Sequence, residues 1–433
     1  MTLRTQMDQI VAWSFRKSVA AYDSVTGGVP TDLLGTDFLT NPYPFYDQLR
    51  EEKMGRSHLV NGWWLVDFEG VQKMLKDPDL YSADPSNSDR FAKRQEKLRA
   101  RAISLDLHDE SNDSKDMLGV DPPEHSRLRR LVTRGFTTKL LADLTPFVEA
   151  TAARCVEQVD GDIFEVVGNL AEPLPALVIA EMLGVPPEDH DMFRGWSSDL
   201  IANASFTAKP GTDVPGMKAS YELAQYFRRL IRDRPRGANN EDLIARLLAA
   251  ERDDVLDENE VISMAILILV AGHETTTRLI GNALYVLLQH PRQLAELREA
   301  PDELLDNTIE ECLRYESPVQ TTARTVVSDH SFNGHELKQG QTILTFVGAA
   351  NRDPSANPNP NQFDIHRESI NQISFGYGVH FCLGAALARL ETKIALRALL
   401  ARFPSMSLVD RKPTWSMDPI FRGHNSLPVR VQM

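Results

Sequence analysis

Near the carboxyl end of the chain, residues 375–384 read Phe-Gly-Tyr-Gly-Val-His-Phe-Cys-Leu-Gly. Three glycines alternate with bulky side chains here, and a helix-forming run follows at residues 385–391. The pattern predicts that Cys382 lies at the start of a helix, where free N–H groups and the helix dipole lower the pKa of a thiol. Glycines also let the backbone approach a flat ligand closely. A thiolate held in this way suits a single metal ion that brings its other ligands with it, as the iron of a porphyrin does.

The same stretch resembles the heme-binding loop of the cytochromes P450, which are heme-thiolate monooxygenases. The positions that match the pattern of that family are Phe375, Gly376, Gly378, His380, Cys382 and Gly384. The resemblance implies that Cys382 binds the iron of heme b (iron protoporphyrin IX) and that the other positions shape the cofactor-binding loop. The alternative, an inert buried cysteine beside a glycine turn, is disfavoured by so many matching positions. Cys155 and Cys312 lie in helical patterns without such a frame, so we expect them to be inert.

Charges elsewhere in the chain match a second motif of the same family. Glu311 and Arg314 form its Glu-x-x-Arg motif, and a spacing of three places both charges on one helix face. Arg367 matches the third member of that motif. The resemblance therefore implies a buried network of two arginines and one glutamate that locks the scaffold beside the heme.

A further group of basic residues matches positions that hold the heme propionates. The segment 121–129 resembles the start of a heme-side helix, and two of its basic residues lie four apart, on one face. Two buried carboxylates need such hydrogen-bond donors, because an unpaired buried charge is costly. The residues that the resemblance assigns to this role are His125, Arg129, Arg324 and His380.

A long apolar segment predicts a helix through the centre of the protein. Asp257 and Glu260 form the start of a capping box, and Pro291 ends the pattern. The interval of about 32 residues corresponds to about 48 Å at 1.5 Å per residue. Its middle reads Ala-Gly-His-Glu-Thr-Thr at residues 271–276. Two interpretations stay open: a glycine packing contact with threonines bonded back to carbonyls, or a helix opened beside a reaction site.

In the cytochromes P450 the matching segment is the oxygen-binding groove. The resemblance implies that Ala271 and Gly272 keep the helix slim beside the heme. It also implies a hydrogen bond from Thr275 to the oxidant and proton relay from solvent by Glu274. Substrate contacts are expected from residues 102–119, 193–206, 319–323 and 419–421.

Charge and composition disfavour several classes of protein. The 433 residues include 47 basic and 61 acidic side chains, which gives a net charge of −14. A nucleic-acid-binding protein needs a basic surface to neutralise phosphates, so no nucleic-acid partner is expected. Three cysteines cannot form a disulfide framework in so long a chain and indicate the reducing cytoplasm. The most apolar stretch, residues 262–271, has about half the length of a membrane-spanning helix, so no membrane span is expected.

Helical periodicity dominates the chain, with strand-like patches near residues 63–68, 324–346 and 427–431. The second patch surrounds a predicted turn at Asn333 and Gly334. These patterns predict a mainly α protein with small peripheral β-sheets. The resemblance implies the cytochrome P450 fold, a triangular prism of helices, with residues 41–433 as the catalytic domain. Residues 1–40 are predicted to form an N-terminal extension whose amphipathic helix docks on the protein.

The resemblance implies a bacterial type of monooxygenase that inserts one oxygen atom of O2 into an apolar or amphipathic small molecule. The chain carries no flavin or iron–sulfur motif, so electrons are expected from a separate ferredoxin and its reductase. Two alternatives stay open, a peroxygenase driven by hydrogen peroxide and a heme-thiolate ligand sensor without turnover. The presence of Glu274 and Thr275 disfavours both, because a peroxygenase does not need this pair and a sensor does not need a proton relay. Presentation of the substrate on a carrier protein is a third.

One helix carries an exception to the acidic composition. Arg127, Arg130 and Arg134 are three and then four residues apart, which predicts that they share a second face beside that of His125 and Arg129. We expect this face to dock an acidic ferredoxin near the thiolate side of the heme. The alternative is an ordinary solvated helix face.

Overall fold

The computed structural model of the protein describes residues 35–58, 60–204, 213–233, 242–248, 256–410 and 413–432. Most of the N-terminal helix predicted within residues 1–40 lies outside these ranges. The last residues of the predicted extension, Thr36–Thr40, form a separate short helix whose Phe38 and Leu39 side chains are buried in one of the hydrophobic clusters. This end of the described chain is therefore packed on the body of the protein.

Helices dominate the described residues, as predicted. In chain order they are α1 (Thr36–Thr40), α2 (Tyr43–Arg50), α3 (Phe68–Lys76), α4 (Asp89–Ser104), α5 (Glu124–Thr133), α6 (Thr138–Val156), α7 (Pro173–Leu183), α8 (His190–Ala204), α9 (Asp213–Arg232), α10 (Leu243–Leu248), α11 (Glu258–Gln289), α12 (Pro291–Glu299), α13 (Pro301–Tyr315), α14 (Val347–Asn351) and α15 (Ala385–Arg402). Among the residues that the structure describes, no helix combines the length and the apolar character that crossing a lipid bilayer requires.

The strands form small sheets at the periphery. They are β1 (Met54–Ser57), β2 (Gly62–Leu65), β3 (Tyr81–Ser82), β4 (Ile163–Glu165), β5 (Thr321–Val326), β6 (His330–Phe332), β7 (His335–Leu337), β8 (Thr342–Phe346), β9 (Ser405–Leu408) and β10 (Pro428–Gln432). One sheet has the order β1-β2-β8-β5-β3, a second has the order β4-β10-β9, and β6 and β7 form a hairpin. Strand β2 pairs with β8 in parallel, and the other neighbours are antiparallel. The three predicted strand patches thus hold the strands expected of them.

The hairpin turn shows how local sequence sets one of these connections. Asn333 and Gly334 join β6 to β7 with φ values of 48° and 78°. Two consecutive positive φ values match the twist of a hairpin, and asparagine followed by glycine tolerates them best.

Helix α11 passes through the main hydrophobic core and confirms the predicted central helix. The side chain of Asp257 accepts a hydrogen bond from the N–H of Glu260 at 2.8 Å, and the Glu260 carboxylate accepts one from the N–H of Asp257 at 2.9 Å. The helix runs for 32 residues without interruption and ends at Gln289. Helices α7, α9, α13 and α15 pack around it. Because it is held on several sides, α11 is a rigid element from which a site can be built.

Candidate active site

The loop before α15 is closed by its own backbone. The N–H of Cys382 donates a hydrogen bond to the carbonyl oxygen of Phe375 at 2.8 Å. Gly376 and Gly378 adopt φ values of 72° and 71°, in the left-handed region that favours glycine. A Cβ atom at Gly378 would also lie 2.5 Å from the backbone oxygen of Leu75 on α3. The glycines are therefore required by the close packing that positions Cys382.

The thiol of Cys382 is half-buried, and burial raises its pKa above the ordinary value. The N–H of Gly384 and the charges of Arg129 and Arg389 act in the opposite direction but are outweighed. The prediction that the helix start lowers this pKa is therefore wrong for the free thiol, because desolvation opposes the charged form. A metal ion deprotonates a coordinating thiol, so Cys382 still suits the role of a soft metal ligand.

Four basic side chains meet beside this loop. They come from α5, from β5 and from the loop itself, and they are His125, Arg129, Arg324 and His380. The ring centroids of His125 and His380 lie 4.1 Å apart. Burial, followed by the charges of the neighbouring arginines, lowers the pKa of His380 to about 3. Burial lowers the pKa of Arg324 to about 10. Positive charge is therefore crowded into a desolvated space.

No carboxylate of the described residues forms an ion pair with this cluster. Both ring nitrogens of His125 and Nε2 of His380 are buried without a hydrogen-bond partner in the described part of the chain. The nearby carboxylate of Asp121 already accepts hydrogen bonds from the side chain of Ser82 and from the N–H of Ala83. Because unpaired buried charge is costly, the cluster suits a ligand that brings two carboxylates. The two propionates of a heme meet that requirement beside a thiolate ligand.

One face of α11 borders open space in the interior. Ala271 is exposed, and Val270, Glu274 and Thr275 are partly exposed, although the helix is largely buried on either side of them. Positions four apart are neighbours on a helix, so Val270 with Glu274 and Ala271 with Thr275 form two adjacent rows of one broad face. The middle of the central helix therefore presents an alanine, a threonine and a glutamate to an open volume.

The contacts of this segment decide between the two interpretations of its sequence. The Thr275 hydroxyl donates a hydrogen bond to the carbonyl oxygen of Ala271 at 2.7 Å. A Cβ atom at Gly272 would lie 2.8 Å from Cδ1 of Ile179 on α7. Helix α11 is continuous through this point. The contacts are thus those of close packing and back-bonding, and the helix is not opened, but the same residues line the open interior.

Comparison with known proteins agrees with this geometry. The family model described as Cytochrome P450 matches residues 196–421. The chain is 38% identical to the biotin biosynthesis cytochrome P450 of Bacillus subtilis, over 93% of this chain and 100% of that protein. The chain belongs to the cytochrome P450 family. The predicted fold class and the assignment as a cytochrome P450 monooxygenase are therefore confirmed, and the family uses heme.

Two further cytochromes P450 show how far the similarity extends. The cytochrome P450 monooxygenase PikC of Streptomyces venezuelae is 39% identical, over 92% of each chain. A crystal structure of P450BioI in complex with hexadec-9Z-enoic acid ligated acyl carrier protein is 37% identical. It aligns with a TM-score of 0.81 over 92% of this chain and 100% of P450BioI.

The three residues of the predicted structural network meet in this cytochrome P450. Arg314 donates to both carboxylate oxygens of Glu311 at 2.7 Å, and both side chains are fully buried. Arg367 lies 3.2 Å from the same carboxylate. The two arginines also donate to backbone carbonyls, among them those of Pro360 and Gln362. The network therefore pins the loop after α14 to helix α13.

A supporting residue of the cysteine loop was missed in the sequence. Arg389 lies seven residues after Cys382 on α15, and its guanidinium stacks on the ring of Phe375 at 4.4 Å. It also donates to Glu310 at 3.0 Å. Two helical turns after the cysteine, a cation can reach back over the loop, and this spacing was the available signal.

A second buried ion pair had no local signal at all. Arg422 and Glu316 are 106 residues apart in the sequence, yet their side chains form an ion pair that is almost fully buried. The Tyr43 hydroxyl donates to the same carboxylate at 2.6 Å. Only the packing of α2 and of the segment around Arg422 against the end of α13 brings these groups together.

The predicted proton-relay residue has a partner that the sequence analysis did not name. Glu274 accepts a hydrogen bond from Nε of Arg278 at 2.7 Å, and both side chains are largely buried. Arg278 also donates to the carbonyl oxygen of His424 at 2.6 Å. The spacing of four residues is typical of helical ion pairs and could have been noticed. Glu274 is thus held beside the open face of α11 by a charged neighbour.

The three arginines predicted to form one docking face do not act together. Arg130 and Arg134 line an open cavity of about 570 Å³ that also borders His125, Arg129 and the loop at Gly378 and Val379. Arg127 instead pairs with Glu124 at 2.7 Å and with Glu260 at the start of α11. The grouping needs correction, because the charge of Arg127 is satisfied inside the protein.

The predicted substrate-contact segments fall in several places. Residues 319–323 and 419–421 meet, since the N–H of Gln320 donates to the carbonyl oxygen of Ile420 at 2.7 Å. Residues 102–119 form the end of α4 and a strap that follows it. Residues 193–204 belong to α8, and residues 205–206 lie outside the described residues.

Proposed function

We propose that this cytochrome P450 holds heme b through Cys382 and inserts one oxygen atom of O2 into an apolar or amphipathic small molecule. The observation that carries this proposal is the buried basic cluster beside Cys382, whose histidine nitrogens have no hydrogen-bond partner among the described residues. His125, Arg129, Arg324 and His380 would bind the two propionates. The sulfur of Cys382 would supply the bond from the protein to the heme iron.

When bound, the heme supplies the oxygen activation that none of the chain's own side chains can perform. The residues on the open face of α11 would manage protons. The Thr275 hydroxyl donates to the Ala271 carbonyl, so its oxygen remains available as a hydrogen-bond acceptor on that face. Glu274 would carry a proton by turning away from Arg278, which otherwise holds its carboxylate. This role requires both threonine and glutamate, which favours O2 over hydrogen peroxide as the oxidant.

Electrons would come from a ferredoxin and its reductase. Arg130 and Arg134 support this proposal, because they line the cavity that reaches from the surface to His125 and Arg129. An acidic partner would approach such a patch faster than a neutral one. The three cysteines are free thiols, which is consistent with work in the reducing cytoplasm.

A carrier-bound acyl chain is a second candidate for the substrate. The similar P450BioI was crystallised with an acyl carrier protein that bears hexadec-9Z-enoic acid. An exposed basic helix on the present chain, α4, favours this form of delivery, because acyl carrier proteins are acidic. We therefore propose acyl chains, free or carrier-bound, as the first compounds to be tried.

The ligand assignment is tested with Cys382→Ser. We expect this variant to lose the thiolate-type absorption band of the reduced, CO-bound protein. Cys155→Ser is the matched control, because Cys155 is buried in α6 and should leave that band unchanged. A thiolate band that survives in Cys382→Ser would overturn the proposal.

The proton role is tested with Thr275→Ala. We expect heme and substrate binding to persist while the product formed per NADH consumed falls by about tenfold or more, with peroxide released instead. Thr276→Ala is the control, because Thr276 is buried on the other side of α11. Turnover with hydrogen peroxide that matches the ferredoxin-driven rate would instead favour a peroxygenase.

A further inference from the structure

Helix α4 projects from the body of the protein. None of its 16 residues is buried, and residues 93–100 are all exposed. A helix of this length is only marginally stable by itself in water, and tertiary packing normally supplies the rest of its stability. The helix contributes little to the hydrophobic core. We therefore look for its role in the surface that it presents to solvent.

The outward face of α4 is basic. Five cations recur at helical spacing and are Arg90, Lys93, Arg94, Lys97 and Arg101. No carboxylate of the described ranges forms an ion pair with Lys93, Arg94 or Lys97. We call these five residues the basic stripe. In a chain with a net charge of −14, the stripe is a local concentration of the opposite charge.

The opposite side of α4 is tied to the strap that follows it. Arg99 lies about half a turn from the basic stripe and forms two hydrogen bonds with Asp113, at 2.6 and 2.7 Å. His108 also contacts Asp113, at 3.1 Å. Because the tie is on this side, the basic stripe faces away from the strap.

The strap connects α4 to the helices that surround the open interior. Asp109 pairs with Arg228 on α9 at 2.7 Å, and Asn112 donates to Ser220 on α9 at 2.8 Å. Further along, Ser263 on α11 contacts the carbonyl oxygen of Ser114 at 3.5 Å. Ser263 precedes the open face at Ala271 by about two helical turns, or about 12 Å. The strap therefore links α4 to the part of α11 that precedes the open face.

Apolar side chains flank the basic stripe without forming one continuous face. Leu98 and Leu105 lie beside the stripe, whereas Ile103 lies near Arg99 on the opposite side of the helix; their exposed fractions are 38%, 42% and 50%. A helix that binds a membrane surface needs a single broad apolar face. Divided apolar residues around a basic centre suit a folded protein partner, which offers acidic groups with apolar contacts at their edge.

We propose that the basic stripe of α4 docks an acidic acyl carrier protein, which delivers its acyl chain to the open face of α11. This inference rests on the proposed function, in which a carrier-bound acyl chain is a candidate substrate. The ferredoxin would use a different surface, because the cavity at Arg130 and Arg134 includes no residue of α4. Two acidic partners could then bind the same acidic protein at separate basic surfaces.

The experiment measures binding of hexadec-9Z-enoyl acyl carrier protein to the heme-loaded protein at low and high salt. The test variant is Lys93→Glu, Arg94→Glu and Lys97→Glu combined. The control combines Lys73→Glu, Lys139→Glu and Lys338→Glu, three exposed lysines in surface ion pairs. Both variants change the net charge equally.

We expect carrier binding at low salt to weaken by about tenfold or more in the test variant and to change by less than about twofold in the control. The affinity for free hexadec-9Z-enoic acid, measured by the shift of the heme absorption band, should be the same in all three proteins. Raising the salt concentration should reduce the difference, because exposed charges are screened.

Several results would overturn the inference. Carrier binding of equal strength in the test variant and the wild type would place the docking site elsewhere. Wild-type protein that binds anionic phosphatidylglycerol vesicles but not the carrier would identify a lipid surface. Loss of the free acid's affinity in the test variant would make the stripe part of the substrate pocket. The CO-bound spectrum of each variant tests the proposed function separately, since it depends on Cys382 and not on α4.

Discussion

Two groups of buried basic side chains stand in contrast in this cytochrome P450. In the network of α13, Arg314 and Arg367 share the carboxylate of Glu311 and also donate to backbone carbonyls. In the cluster beside Cys382, the buried ring nitrogens of His125 have no partner within the described ranges. Where the chain supplies its own counter-charge, the cations hold the scaffold together. Where it does not, the counter-charge must arrive with a ligand.

The largest effect on stability is expected from breaking the buried network of Glu311, Arg314 and Arg367. Glu311→Ala leaves two buried arginines without their carboxylate, so we expect a loss of about 3–5 kcal/mol in the free energy of unfolding. Denaturant titration of the heme-loaded protein measures it. Glu310→Ala is the matched control, because Glu310 pairs with Arg389 at a partly exposed position and should cost much less. Equal losses in both variants would break the comparison.

A buried carboxyl that has no hydrogen-bond partner for Oε2 in the described part of the chain, that of Glu391, extends the comparison to acidic groups. Burial raises the pKa of Glu391 on α15 to about 8, from an ordinary value of 4.5. Between pH 4.5 and pH 8 the folded protein keeps a proton that the unfolded chain has released. The contribution of this group to the free energy of unfolding is therefore highest at low pH and falls as the pH rises towards 8. We therefore expect Glu391→Gln to gain about 2 kcal/mol relative to wild type between pH 6 and pH 8.

Unfolding curves at several pH values test the Glu391 prediction. Glu303→Gln is the control, because Glu303 is exposed on α13 and its substitution should change the stability little. A difference between wild type and Glu391→Gln that does not change with pH would show that this carboxyl does not titrate in the range.

The basic cluster beside Cys382 should respond to the loss of a charged side chain in the opposite way to the Glu311 network. Arg324→Leu removes a desolvated cation that forms no ion pair with a carboxylate of the described residues, so we expect the heme-free protein to keep or gain stability. The heme should dissociate about tenfold faster, which corresponds to about 1.4 kcal/mol, the size of one charge-assisted hydrogen bond. Heme transfer to an acceptor protein measures the rate. Unchanged heme loss with lowered stability would make Arg324 a scaffold residue like Arg314.

The smallest effect concerns the surface arginines. Arg130 lines the cavity beside the cysteine loop, whereas Arg127 pairs with Glu124 and Glu260. We expect Arg130→Glu to slow ferredoxin-dependent heme reduction by about twofold to fivefold at low ionic strength, with little change at high salt. Arg127→Glu is the control and should alter stability more than the reduction rate. Stopped-flow reduction across a salt series measures both, and equal rates in wild type and Arg130→Glu would place the docking site elsewhere.

The features that the sequence predicted correctly are local ones. The capping box at Asp257 and Glu260, the turn at Asn333 and Gly334 and the pair Glu311 and Arg314 each depend on residues that are no more than three positions apart. Hydrogen-bond geometry and helical periodicity connect such neighbours in any context, so their pattern can be read directly. The glycine spacing before Cys382 is of the same kind, because it reports which backbone angles the loop must adopt.

The features that the sequence left out or misjudged depend on distance and burial. Glu260 pairs with Arg127 across 133 residues, and Arg422 pairs with Glu316 across 106. The pKa of Cys382 was expected to be lowered by its helix, but desolvation by the packed chain raises it. Sequence alone therefore predicted the central helix, the hairpin turn and the glycine loop before Cys382, because those features follow from neighbouring residues. Only the tertiary structure decided which charges are satisfied and which await a ligand, because pairing and desolvation arise when distant segments exclude water together.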